Sequence, residues 1–232
     1  QQVPFERCVE QQTVKGGVFA KGANQLPGHV PEEPAIVAAL GDADVTVLDL
    51  ADGHDVAEPA TWAALEGEFD AAFLNAGVTT GESDVAALGD EQYRRIMRVN
   101  VDGVVLGVRE LAARLMPNGG SIVATASLAG LAGSPLDPVY ALTKHAVVGF
   151  VRSVAPQLQV RGIRINALCP AFTDTPLVAE ELRGALPAPL IDPSFVAEAA
   201  LRALHDEETG RAWVVQLNRI EPFRYPGVPG PR

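Results

Sequence analysis

Five short stretches of this chain are apolar almost without interruption: DVTVLDL (44–50), FDAAFLNAG (69–77), GSIVATAS (120–127), GIRINALCP (162–170) and RAWVVQLN (211–218). They do not alternate apolar with polar residues, as a strand with one wet face would. Each therefore predicts a strand covered on both faces of a parallel sheet. Between them the apolar spacing lengthens to the helical period, which predicts helices over 91–116, 138–159 and 192–206. The last has Asp192 placed as N-cap and Pro193 at the first helical position. Strands alternating with helices predict an α/β fold, a doubly wound parallel sheet in a single domain over residues 1–232. Two regions break the pattern. Residues 1–43 scatter Pro and Gly among weak periodicities, and the tail EPFRYPGVPGPR (221–232) is too rich in both to predict a regular element.

Composition narrows the function classes. The net charge of −11 disfavours a nucleic-acid partner, which needs a basic footprint. Cys8 and Cys169 lie far apart with no thiol or His at metal-ligand spacing, so neither a disulfide framework nor a metal site is expected. No apolar run is long enough to span a membrane and no cationic leader opens the chain, which makes a cytoplasmic protein with no membrane partner the default expectation.

Tyr140 and Lys144 stand four residues apart in the predicted helix 138–159, so their side chains share one face. A phenol titrates near about 10, too high for proton transfer at neutral pH, and a nearby ammonium brings that value down. An exposed helix face can carry the same pair, and the spacing alone does not separate the two readings. Ser127 closes the strand 120–127, thirteen residues before Tyr140. Ligands of a wound α/β sheet bind beyond the carboxyl ends of its strands, where a hydroxyl can orient a carbonyl; the plainer alternative is a Ser that caps the following turn. Asn100 lies mid-helix, where an amide either points to solvent or bonds backbone and water at a kink. Asn75, Ala76 and Gly77 close another strand with small residues that admit a ligand to the backbone, or that merely turn the chain.

The segments FLNAGV, RIMRVNVDG, GGSIVATASLAG, VYALTKHAVVGFVRS and GIRINALCPAFTDTPL occur in that order. Together they resemble the short-chain dehydrogenase/reductase family, and within it the hydroxyprostaglandin-dehydrogenase-like branch, from about residue 44 onward. The resemblance implies a Rossmann-like fold and an oxidoreductase using NAD or NADP to interconvert a secondary alcohol and a ketone. It implies Tyr140 as the acid or base and Lys144 as the group that lowers its pKa and bonds the nicotinamide ribose. Ser127 would hold the substrate oxygen, and Asn100 a water of the proton relay. Asn75, Ala76 and Gly77 would line the adenosine side, while Pro170, Phe172 and Thr175 match positions that meet the nicotinamide and pyrophosphate. Ala171 stands where the family usually has Gly. Leu128, Phe172 and Leu177 would border an apolar substrate, and residues 176–195 correspond to a lid. A homodimer or homotetramer is implied, with helices 91–116 and 138–159 at an interface.

The family's glycine-rich pyrophosphate turn has no clean copy. The nearest is KGANQLPG (21–28), where Gly22 and Gly28 fit but Leu26 replaces a glycine. If this is the turn, DVTVLDL is the second strand and one strand–helix unit is missing. If DVTVLDL is instead the third strand, its spacing to Asn75 is normal and the first strand and turn are degraded or lie before residue 1. Asp49, with Leu50 beside it, faces the adenine end under both readings. The damaged turn motivates an alternative function: a catalytically silent protein of the same fold acting as a binding or regulatory module.

Overall fold

The computed structural model describes residues 17–21, 44–48, 55–178, 180–184, 186 and 188–226. Among these residues seven strands form one sheet: β1 (Gly17–Lys21), β2 (Asp44–Leu48), β3 (Ala71–Leu74), β4 (Gly120–Thr125), β5 (Ile163–Pro170), β6 (Ala212–Gln216) and β7 (Arg219–Pro222). Their order across the sheet is β2-β1-β3-β4-β5-β6-β7. Strands β3 to β6 pair in parallel, and β2 points the same way; β1 and β7 run against their neighbours. The helices are α1 (Pro59–Ala63), α2 (Asp90–Met97), α3 (Gly103–Glu110), α4 (Pro138–Gln159), α5 (Glu180–Arg183) and α6 (Pro193–His205).

The uninterrupted apolar strands are covered on both faces, as their composition requires. Ala72, Leu74, Ile122, Ala124, Ile165 and Ala167 turn to one side and pack with Val104 and Val108 of α3 and Val147 and Val151 of α4. Ala71, Phe73, Val123 and Leu168, one residue out of step, turn to the other side against Ala199, Ala200, Ala203 and Leu204 of α6. The two-residue side-chain period thus divides β3 to β6 between two cores, and the sheet is doubly wound. Asp192 caps α6, accepting from Ser194 N at 2.8 Å, with Pro193 opening the helix as expected.

Three details depart from the periodicity. The helix expected over 91–116 is a rod of two α-segments, α2 and α3, joined by a π-helical turn over Arg98–Asp102 and followed by another over Leu111–Leu115. The tail expected to be irregular from 221 begins inside β7. That strand pairs with β6 through a two-residue loop in which Asn218 takes the left-handed conformation (φ 60°) that asparagine tolerates. The third is β1, which lies between β2 and β3 with Gly17 beside Leu74. The chain therefore leaves β1, at Lys21, on the edge of the sheet opposite the carboxyl ends of β3 to β6. It leaves β2, at Leu48, on the same edge as those ends.

Gly107 of α3 shows how tightly the rod meets the sheet. A Cβ there would stand 2.6 Å from the Trp62 ring. Trp62 is fully buried, and its indole Nε1 donates to Val56 O at 2.7 Å. Replacing a mid-helix Gly by Ala ordinarily gains up to about 1 kcal/mol, whereas overpacking a rigid core costs about 1–3 kcal/mol. Gly107→Ala is expected to destabilise the fold by a net ~1–2 kcal/mol in urea denaturation; equal or higher stability would show that Trp62 can move aside.

Candidate active site

The carboxyl ends of β3, β4 and β5 converge on one edge of the sheet, and residues 75–81 run across it. Side chains from three different elements hold that segment. From the end of β4, Thr125 Oγ1 donates to Asn75 Oδ1 at 2.7 Å. From the π-helical turn, Asn100 Oδ1 accepts Val78 N at 2.8 Å, and Asn100 Nδ2 donates to Val78 O at 2.9 Å and to Thr143 Oγ1 at 3.0 Å. Asn100 is fully buried and points neither to solvent nor to its own helix. A π-helical turn at such a position is a common mark of a functional site, because it swings side chains out of the regular helical register. Asp137, ahead of α4, accepts Thr80 N at 2.7 Å and Gly81 N at 3.2 Å through Oδ2.

Helix α4 begins where Asp137 Oδ1 accepts Tyr140 N at 2.8 Å and Pro138 occupies the first helical turn. Tyr140 keeps part of its surface exposed, yet enough protein crowds its hydroxyl to push the phenol up to about 12. A hydrogen bond with Ser127 pulls it back, and the Asp137 carboxylate and the Cys169 thiol push it further up. The Lys144 ammonium lies 5.5 Å from the centre of the Tyr140 ring. Burial therefore governs the phenol here, and its lowering comes from Ser127 rather than from Lys144 as the spacing alone led one to expect. Lys144 is itself only 2 % exposed, and burial brings it down to about 8. Its Nζ donates to Thr125 O at 2.8 Å, using one of three N–H groups. Gly77 lies directly against this ammonium: a Cβ there would stand 3.4 Å from Nζ and 3.7 Å from Asn100 Oδ1.

Ser127 both caps and is capped. Its Oγ accepts Ala129 N at 3.1 Å, so the turn-capping role is real, and the same hydroxyl reaches Tyr140. The turn that follows, Leu128–Gly130, packs so close to α4 that a Cβ on Gly130 would meet Lys144 O at 2.6 Å. A glycine at that position is what lets Ser127 approach the helix carrying Tyr140.

The structure thus brings Asn100, Ser127, Tyr140 and Lys144 together, with Asn75, Ala76 and Gly77 beside them. Pro170 ends β5 next to Ser127, whose Oγ is 3.4 Å from Pro170 O. Phe172, Thr175 and Leu177 follow on the loop after β5, each half-buried, and Leu128 is half-buried on the turn after Ser127. That loop is braced by Phe172 O, which accepts Ile191 N at 2.8 Å, and by Arg183 of α5, which pairs with Asp174. Gly22, Gly28, Asp49 and Leu50 lie outside the described residues. Sequence reasoning passed over Thr125, Thr143, Asp137 and Gly130. Of these only Asp137 carried a readable signal, an acidic residue before a Pro at a helix start.

Residues 28–215 match a family model described as enoyl-(acyl carrier protein) reductase. A 3beta-hydroxysteroid dehydrogenase of Mediterraneibacter gnavus is 33% identical over 180 residues, 74% of this chain and 63% of that protein. This chain belongs to the short-chain dehydrogenase/reductase family. Two solved members of this kind superpose on the fold. A 3-oxoacyl-[acyl-carrier protein] reductase with bound NAD from Brucella melitensis is 33% identical with a TM-score of 0.58, covering 69% of this chain and 67% of that one. The actinorhodin polyketide ketoreductase with NADPH is 26% identical with a TM-score of 0.63, covering 69% and 74%. The Mediterraneibacter relative is matched over less than two thirds of its own length.

A buried ammonium is a standing cost to the fold. Lys144 is held below its ordinary 10.5, so below about pH 8 the folded chain carries the full penalty of a desolvated cation. As pH rises from about 8 toward 10.5 the folded form loses its proton first and the penalty fades. Lys144→Met is therefore expected to stabilise the fold at neutral pH by on the order of 2 kcal/mol, less the lost bond to Thr125 O. The gain should shrink with rising pH over that window in denaturant melts. A destabilised variant with no pH trend would contradict the assignment.

Proposed function

We propose that the protein is an NAD(P)-dependent oxidoreductase that interconverts an apolar secondary alcohol and the matching ketone, with Tyr140 as its acid and base. The observation that carries this reading is a buried Lys144 ammonium 5.5 Å from the ring of Tyr140, with one of its three N–H groups used by Thr125 O among the described residues. The residues fit the nicotinamide-ribose end of the cofactor: Gly77 has no side chain over the Lys144 ammonium, and the spare donors there suit ribose hydroxyls. When bound, NAD(P) supplies the acceptor or donor of the hydride.

The protein's own part is proton transfer and orientation. In alcohol oxidation the Tyr140 oxygen takes the hydroxyl proton as the carbinol hydrogen leaves as hydride; in reduction it returns that proton to the ketone oxygen. Ser127 Oγ holds the same substrate oxygen. Lys144, whose ammonium lies 5.5 Å from the Tyr140 ring, offers its spare N–H groups to the nicotinamide ribose. Both amide hydrogens of Asn100 are committed to Val78 and Thr143. A relay water at Asn100 would thus be held by the free capacity of Oδ1, which faces Gly77, or by its main chain. The apolar half-buried side chains of Leu128, Phe172 and Leu177 favour an uncharged substrate. Placement in the hydroxyprostaglandin-dehydrogenase-like branch belongs to this proposal, as does assembly into a homodimer or homotetramer. Val105 of α3 and Leu142 of α4 are apolar and exposed on the helices expected at the interface.

One observation favours the silent alternative: β1 runs against β3, so Lys21 stands on the sheet edge opposite the site. Titrating NADH and NADPH by fluorescence separates the two. The oxidoreductase reading expects saturable binding of at least one, and binding of neither would support the silent module. With a 3-hydroxysteroid and the bound cofactor, Tyr140→Phe is expected to lower turnover by at least about a hundredfold while leaving cofactor affinity intact. Undiminished turnover would remove Tyr140 from the chemistry.

A further inference from the structure

Asp137 is a buried carboxylate, 7 % exposed, and among the described residues it pairs with no cation. Three N–H groups from two separate segments converge on it. Oδ1 takes Tyr140 N at the start of α4, and Oδ2 takes Thr80 N and Gly81 N from the segment that crosses the site. Its own backbone oxygen accepts Ala141 N at 3.1 Å. An ordinary N-cap needs only the first of these contacts, and a Ser or Asn supplies it as well. The second pair does something else. It fastens Thr80 and Gly81, just beyond the Asn100-held Val78, to the same carboxylate that sets the first turn beneath Tyr140.

We propose that Asp137 is a positioning residue of the active site, a carboxylate that locks the Tyr140 turn and the segment 75–81 into one unit. The inference rests on the reading of Tyr140 as the acid and base. Held this way, the phenol and the Gly77 backbone, which flank the place where hydride and proton must move together, cannot shift independently. The carboxylate also acts on the phenol through space. Among the described residues the charged or titratable groups and hydroxyl that act on Tyr140 are Ser127 just after β4, Asp137 just before α4, Lys144 of α4 and Cys169 of β5; Asp137 is the negative charge among these and disfavours the phenolate.

The test compares Asp137→Asn and Asp137→Ser with the unmodified protein. Both replacements can still cap Tyr140 N, but neither offers an acceptor to Thr80 and Gly81 while keeping the charge. Amide hydrogen exchange should accelerate at Thr80 and Gly81 and leave the sheet unchanged. Carbon NMR of labelled tyrosine, with Tyr140 assigned through Tyr140→Phe, should show its titration moving to lower pH. Turnover of a 3-hydroxysteroid with NAD or NADP should fall between about tenfold and a hundredfold with KM little changed, the scale of a slightly misplaced reacting group. If the Tyr140 titration and the turnover both stay put while only melting temperature falls, Asp137 is a helix cap and the proposal is overturned. Should one variant fail to fold, the other carries the comparison. If Tyr140→Phe itself remains active, the functional reading fails, while exchange and titration still decide what Asp137 holds.

Discussion

Everything at this site is arranged around an ammonium that the protein keeps out of water. Lys144 is almost completely buried, and among the described residues its one acceptor is Thr125 O. Burying a cation is unfavourable unless its donors find partners, and a soluble protein rarely tolerates one with donors to spare. The neighbours account for why it stays. Gly77 is bare, so the backbone end of β3 comes within contact of Nζ; Gly130 is bare, so the turn after Ser127 presses against the Lys144 carbonyl. One glycine serves approach to the Lys144 ammonium and the other approach to its backbone.

The segment 75–81 closes the arrangement. Several of its backbone groups are met by side chains, and those side chains come from the elements that carry Ser127, Asn100, Tyr140 and Lys144. Thr125 precedes Ser127, Asn100 sits on the π-helical turn, Thr143 precedes Lys144, and Asp137 starts the helix of Tyr140. Fold and site share one hydrogen-bond network, so a change in any of these polar side chains is felt at the phenol.

The sheet and the tetrad were legible in the sequence for different reasons. Continuous apolar strands announced a sheet covered on both faces, and the two interleaved cores about Phe73 and Leu74 are the direct result. That Asn100, Ser127, Tyr140 and Lys144 would cluster was legible because ordered family motifs carry them, while the roles proposed for them rest on the reading of the site. What stayed hidden depended on tertiary approach. Nothing in RVNVD spells a π-helical turn, since its residues suit an α-helix equally well and the turn is set by Asn100 reaching Val78. The reversal of β1 was likewise invisible, because a strand's apolar pattern does not encode its direction. The β7 hairpin hid behind prolines that a short edge strand accommodates at its end. The expected lowering of the Tyr140 pKa by Lys144 weighed charge without burial, and burial is the larger influence on both groups.

The account stands on the state of that one buried cation. The chain has three lysines, Lys15, Lys21 and Lys144, so side-chain NMR can follow each ammonium individually. The measurement is the titration of Lys144 Nζ, first in the protein by itself and then with NADH added. A value near 8 is predicted for the protein alone, with an upward shift on adding NADH as ribose hydroxyls accept the spare N–H groups. A Lys144 that titrates with the ordinary value near 10.5 and ignores NADH would contradict the site as described.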